Sequence, residues 1–196
     1  MFSKNQAARI RFALTFLGCS LLLFGARPAS LQTALTLEGK SLDPFPSSPG
    51  KPVVLIFVRT DCPISNRYAP VLRDLVDSTY HLLGTFWLVY PDKKTTPQQI
   101  RTHLRDFKFG IAALRDPDHI LVKRAGATIT PEAAVFDPRG KLLYHGRIDN
   151  LYVDAGRSRP APTTQELKDA IESAVYGKTP MPASAPAVGC YIADLE

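Results

Sequence analysis

The chain has 196 residues, 45% of them hydrophobic, enough to bury one proper core. Its formal charge is +6, but Lys4, Arg9, Arg11 and Arg27 stand in the first thirty residues without an acid, and removing those four leaves +2 for the rest. With no basic cluster and no interleaving of aromatic and basic residues, this balance argues against nucleic acid as a partner.

The first thirty residues read as a targeting segment. A positive start is followed by a mostly apolar stretch, Phe12 to Ala26, and then by small residues and a proline. This is the pattern of a secretory signal, and the apolar stretch of about fifteen residues is short for a bilayer span. Arg27 spoils a clean cleavage site, so an uncleaved N-terminal anchor is the second reading. Lipidation at Cys19 is the third. The expected location is therefore periplasmic or extracellular, with membrane contact only through the N-terminus. Disulfides persist there. Of three cysteines, cleavage would leave Cys62 and Cys190.

The domain is expected to open near Leu31. Thr33 to Leu37 suits a short edge strand, and Asp43 to Gly50 is a loop by composition. Val53 to Val58 is an unbroken apolar, β-branched run, as in a strand buried on both faces. Arg59, Thr60 and Asp61 end it, Cys62 and Pro63 follow, and Tyr68, Val71, Leu72, Leu75 and Val76 then keep helical spacing. A cysteine thus stands where a central strand hands over to a helix. The first turn of a helix offers free N–H groups and the positive end of the dipole, which favour a thiolate, the nucleophilic form. Pro63 suits the first helical position. Ser65 and Asn66 share a helical face with Cys62, and either could donate to its sulfur. A buried, inert cysteine is the plain alternative.

Thr85 to Tyr90 reads as a second buried strand. Thr96 to Gln99 forms a capping box ahead of a helix with Ile100, Leu104 and Phe107 on its apolar face, and His103 lies near that face as a packed or surface histidine. Ile111 to Leu114 is a short strand and residues 119 to 125 a short helix. After Thr130 and Pro131, Glu132 to Asp137 is a strand. Asp137 to Gly140 turns it back into the strand Lys141 to Ile148. Thr163 to Glu166 reads as another capping box before a helix carrying Leu167, Ala170, Ile171, Ala174 and Val175, stopped by Gly177. Residues 178 to 196, rich in proline and alanine, are expected to form a loosely held tail. Alternation followed by a terminal hairpin and helix predicts an α/β fold with a central mixed sheet flanked by helices.

The strand–Cys-Pro–helix unit, Thr130-Pro131 before a hairpin strand, and the string D-C-P-I-S-N-R-Y-A-P at Asp61 to Pro70 together resemble the thioredoxin-like superfamily. Within it they resemble the bacterial redoxin (peroxiredoxin-like) proteins. The resemblance covers roughly residues 31 to 177. It implies a thioredoxin fold and a cis bond before Pro131, facing Cys62, where Thr130 would expose its backbone to a substrate's cysteine segment. It implies Cys62 as nucleophile, with Thr60 and Arg147 as the threonine and arginine of a peroxide site, and Ser65, Asn66, Thr130 and Pro131 against the substrate. No cofactor or metal is implied, and the partners would be a thiol or disulfide protein or a small peroxide. Two departures stand out. Ser65 replaces the second cysteine of C-x-x-C, and Arg59 stands where peroxiredoxins place threonine. Arg147 could instead pair with Asp149.

Three functions remain open. One is a thiol-dependent oxidoreductase acting on disulfides or peroxides, with Cys190 as resolving thiol. The second is a non-catalytic binding module in which Cys62 and Cys190 form a structural bridge. The third is copper handling by Cys62 with His145 or His119, a poor ligand set. Cys190 pairing with another molecule is also open.

Overall fold

The computed structural model describes residues 33–45, 50–78, 80–193 and 195. The targeting segment and Cys19 lie outside the described residues. No helix of the described residues is long and apolar enough to cross a membrane.

The chain begins with β1 (Ala34–Leu35), β2 (Ser41–Leu42) and β3 (Val53–Phe57). The strand-to-helix turn leads to α1 (Pro63–Arg67), α2 (Ala69–Asp77) and α3 (Tyr80–Leu83). Then come β4 (Thr85–Tyr90), α4 (Pro97–Asp106), β5 (Ala112–Arg115) and α5 (Ile120–Ala125). β6 (Ile129–Thr130) and β7 (Glu132–Phe136) flank Pro131, and β8 (Leu142–Gly146) completes the hairpin. A small ribbon, β9 (Tyr152–Asp154) and β10 (Arg157–Ser158), precedes α6 (Glu166–Val175). The C-terminal segment adds β11 (Ser184–Ala185) and β12 (Cys190–Tyr191).

Eight strands form one mixed sheet in the order β11-β8-β7-β3-β4-β5-β1-β2. β3, β4 and β5 run parallel, while β7 is antiparallel to β3, pairing Val53 with Phe136 and Phe57 with Glu132. β3 is central, and all five of its residues are buried. Its side chains alternate between two apolar layers, as the period of two requires. Val54 and Ile56 pack with Leu72 and Leu75 of α2, Ile100 of α4, and Leu167 and Ile171 of α6. Val53, Leu55 and Phe57 pack with Leu121, Val122 and Ala125 of α5. A run of apolar residues without alternation is what burial on both faces demands.

The expected helix after Cys62 is two helices meeting at Tyr68, with Pro70 in the first turn of the second. The capping box at Thr96 forms: its hydroxyl accepts from the Gln99 backbone N–H, and the Gln99 side chain accepts from the Thr96 N–H. The second expected box does not form. α6 starts at Glu166, and its cap, Gln165, makes no side-chain bond to the helix. Thr163 is taken by Asn150, whose Nδ2 donates to the Thr163 hydroxyl at 2.7 Å, and Glu166 by Arg147 and Thr164. The expectation of a loosely held tail is also corrected. β11 runs parallel to β8 at the sheet edge and β12 pairs antiparallel with β6. Ala185 and Ile192 are buried in the two apolar layers. Backbone pairing and two small anchors hold a segment that has no periodicity of its own.

Candidate functional site

The site assembles at the carboxyl end of β3. Arg59, Thr60 and Asp61 turn the chain, and Cys62 is the N-cap residue of α1, with extended backbone (φ −88, ψ 110) and proline next to it. Its side chain caps nothing in the helix, so the sulfur is free for other chemistry. Cys62 is 1% exposed and is joined to Cys190 in a disulfide with Cα atoms 6.1 Å apart and a sequence separation of 128. Cys190 is half-buried.

Thr130 and Pro131 face this pair. The bond between them is cis, as expected. The Cys62 sulfur lies 3.2 Å from the Thr130 carbonyl oxygen. Thr130 is also the register partner of Cys190, and its hydroxyl donates to the Cys190 carbonyl at 3.3 Å. Four of the expected residues, Cys62, Cys190, Thr130 and Pro131, are therefore brought together.

The other four are placed around them in different ways. Ser65 is fully buried, and its hydroxyl has no hydrogen-bond partner. Asn66 does not serve the sulfur: its Nδ2 donates to the Thr60 carbonyl at 3.2 Å, which pins the loop before Cys62. Thr60 takes part through that carbonyl. Arg147 donates through Nε to Glu166 Oε1 at 2.9 Å and also through its terminal nitrogen, so it is committed to α6. The alternative Arg147–Asp149 pair is not made. Asp149 instead accepts from the Tyr68 hydroxyl at 2.6 Å and from the Leu151 N–H. Burial pushes the Glu166 carboxyl up, but the bonds from Arg147 and Thr164 outweigh it and hold the carboxyl below its ordinary value. Burial, and then the bond to Asp149, drive the Tyr68 hydroxyl far above its usual range, so it stays a neutral donor.

Two contributors carry no local sequence signal. His103 continues the Asn66 bond: its Nε2 lies 2.8 Å from Asn66 Oδ1 and its Nδ1 2.9 Å from the Tyr90 hydroxyl. An Asn oxygen can only accept, so Nε2 carries the hydrogen and the neutral Nδ1 accepts from Tyr90. The line Tyr90–His103–Asn66–Thr60 thus fixes the loop before Cys62 from β4 and α4. Arg59 is the second: its guanidinium bonds Asp61 at 2.9 Å and donates to the Tyr191 carbonyl at 3.2 Å, tying the C-terminal segment to the Cys62 loop.

His119 bonds the Pro91 carbonyl and His145 the Glu132 carboxylate, and neither has the Cys62 sulfur as a partner. Among the described residues there is no group of three or more His, Cys, Asp or Glu side chains placed to hold a metal. Both sulfurs of the pair are bonded to each other, which leaves the copper reading without its thiolate.

A family model described as thioredoxin-like matches residues 50–142. Among solved structures, a hypothetical protein from Sinorhizobium meliloti is similar at 19% identity and a TM-score of 0.65, over 82% of this chain and 88% of that one. An uncharacterized conserved protein from Geobacillus kaustophilus is similar at 20% identity and a TM-score of 0.65, over 81% and 86%. A secreted disulfide oxidoreductase from Mycobacterium tuberculosis is similar at 22% identity and a TM-score of 0.50, over 75% and 96%. These likenesses concern the fold. No curated protein matches the sequence.

Proposed function

The chain belongs to the thioredoxin-like superfamily, and from that premise we propose that it is an exported thiol–disulfide oxidoreductase whose redox pair is Cys62 and Cys190. The observation that carries this reading is the pairing itself: a cysteine at a strand-to-helix turn is bonded to a cysteine on a separate terminal segment. Ser65 cannot close a local disulfide, and Cys190 supplies the second thiol from a distance.

Reduction then runs in two exchanges. A partner thiolate attacks the Cys190 sulfur, the less buried of the two. The Cys62–Cys190 bond breaks and its electron pair leaves on Cys62, where the first turn of α1 stabilises the thiolate. A second partner thiolate attacks the partner's own sulfur in the mixed disulfide. The partner's disulfide forms, and Cys190 leaves as a thiolate and takes up a proton. Two electrons have entered the chain. Passed on, they reduce a substrate disulfide, with Cys62 attacking and Cys190 resolving.

Disulfide exchange takes precedence over peroxide reduction. The arginine expected at a peroxide site, Arg147, is engaged by Glu166. Export rests on the basic and apolar first thirty residues. A secreted disulfide oxidoreductase shares the fold.

The deciding experiment follows reduction of a model disulfide protein by the chain in a glutathione buffer. Turnover should be lost in Cys62→Ser. In Cys190→Ser the first attack should survive and a mixed disulfide on Cys62 should accumulate. Full turnover in Cys62→Ser, or a Cys62–Cys190 bond that resists reduced glutathione at every poise tried, would leave the structural bridge as the correct reading.

A further inference from the structure

β7 carries one charged residue, Glu132, on a strand otherwise built of alanine, valine and phenylalanine, and it is buried like the rest. A buried carboxylate is costly unless its oxygens are bonded, so its partners indicate its role. One oxygen, Oε2, accepts two backbone N–H groups, from Thr128 at 2.9 Å and from Ile129 at 3.2 Å. The other, Oε1, lies 3.4 Å from Nδ1 of His145, a half-buried residue of β8.

The Ile129 N–H and the Thr128 carbonyl belong to one peptide group. On its far side that carbonyl accepts the Ile192 N–H at 3.0 Å. A single peptide thus joins the Glu132 carboxylate to the C-terminal segment: carboxylate, Ile129 N–H, Thr128 carbonyl, Ile192 N–H. A negative charge on the N–H side of a peptide drives electron density onto its carbonyl oxygen, and bonds in such a chain strengthen one another. The Thr128 carbonyl therefore holds Ile192 more firmly than it would with a neutral acceptor behind it. Ile192 is itself buried in the apolar layer of Phe57 and Ala134. The strand pairing that it extends sets Cys190 opposite Thr130, with the Cys190 sulfur on Cys62.

We propose that Glu132 is a positioning residue of the Cys62–Cys190 pair: through the Thr128–Ile129 peptide its carboxylate holds Ile192, and with it Cys190, in register against Cys62, and so favours closure of the disulfide. This rests on the redox reading given above. Closure by oxidised glutathione shows where placement enters. A cysteine thiolate of the reduced chain attacks the glutathione disulfide, that bond breaks, and one glutathione leaves as a thiolate and is protonated. The other cysteine thiolate then attacks the chain's own sulfur in the mixed disulfide. The internal bond forms, the second glutathione leaves as a thiol, and two electrons have passed from the chain to glutathione. The second attack needs Cys190 at Cys62, so the fraction of chains with the C-terminal segment in register enters the closure constant directly.

The test compares the full chain with its Glu132→Gln variant. The glutamine oxygen can still accept from both amides, and its NH2 can donate to His145 Nδ1, so shape and bond count are kept and only the charge is lost. Each protein is equilibrated at neutral pH with glutathione over a series of reduced-to-oxidised ratios, and the closed fraction is read by mass spectrometry after alkylation. Charge-assisted hydrogen bonds are roughly twice as strong as neutral ones, so the closure constant should fall about fivefold in the variant. Hydrogen exchange of the oxidised proteins should show the Ile192 amide about fivefold faster in the variant, on the same ground. The Arg147 amide, bonded to the Ala185 carbonyl at 3.0 Å, should keep its rate, whereas a general loosening of the fold would speed both. Equal closure constants, an unmoved Ile192 amide, or equal acceleration of Ile192 and Arg147 overturns the proposal and leaves the oxidoreductase reading standing. A wild-type disulfide that stays closed at every ratio overturns the oxidoreductase reading, and the proposal with it.

Discussion

At Ser65 the chain has kept a hydroxyl where a C-x-x-C motif would have a thiol. It is fully buried and unpaired while the disulfide is closed. An unpaired buried hydroxyl is costly. On the redox reading proposed above, the Cys62 thiolate of the reduced chain, three residues earlier on the same helical face, is the acceptor expected for it. A hydrogen bond to a charged group is worth about 1.5–3 kcal/mol, and one pH unit is about 1.4 kcal/mol. Ser65→Ala should therefore raise the pH midpoint of Cys62 alkylation by roughly one unit or more, as read from iodoacetamide rates against pH. An unshifted profile would assign the serine to packing alone. His103 gives a second pH effect. Burial pushes its pKa below the ordinary 6.5, with Asp106 pulling weakly the other way. The unfolded chain therefore binds more protons in the window between the lowered value and 6.5. Stability from this group is full above about pH 6.5 and is lost as pH falls through that window. Urea unfolding at pH 7.5 and pH 5 should show this loss, and His103→Gln should shrink it.

At the scale of elements, the C-terminal strap, the segment that carries β11 and β12, is held where glycine lets two backbones touch. Gly146 ends β8 at φ +144, and a Cβ there would meet the Ala185 amide nitrogen at 2.8 Å and the Ala185 carbonyl carbon at 3.0 Å. Gly146→Ala should lift β11 from the sheet edge. Backbone strain and lost pairing together should cost about 2 kcal/mol or more. The check is guanidinium unfolding of the variant, with faster hydrogen exchange at the Arg147 amide, which bonds Ala185. Elements with a strong local pattern were legible in the sequence. Val53 to Val58 could only be a doubly buried strand, the Thr96 box marked its helix, and Asp137 to Gly140 marked the hairpin. β11, β12, β9 and β10 are two or three residues long, too short to show a period. They are strands because of what they pair with. The second capping box was misread for the same reason, since Asn150 and Arg147 claim Thr163 and Glu166 from elsewhere in the fold. The cysteine, the cis proline and its threonine were readable as a motif. The line from Tyr90 to Asn66 through His103 was not, because it joins β4, α4 and α1 through side chains alone.

At the scale of the molecule, one covalent bond and two short strands close a loop of 128 residues. Cross-linking a loop of that size restricts the unfolded chain by about 5 kcal/mol in the chain-entropy model. Reduced protein should be less stable than oxidised protein by a large part of that amount, which paired unfolding curves with and without dithiothreitol would measure. A difference under about 1 kcal/mol would mean that the strap's own contacts, rather than the loop closure, hold the tail. The distance between the cysteines has one more consequence, which concerns synthesis. A ribosome delivers Cys62 long before Cys190, since 128 positions separate them. The two thirds of the chain between them, including every strand of the sheet from β4 to β8, must emerge while the first sulfur has no intended mate. Cys190, delivered after every strand of the main sheet, thus completes the only internal cross-link among the described residues, and a chain released before it would carry a bare thiol beside an empty strand edge.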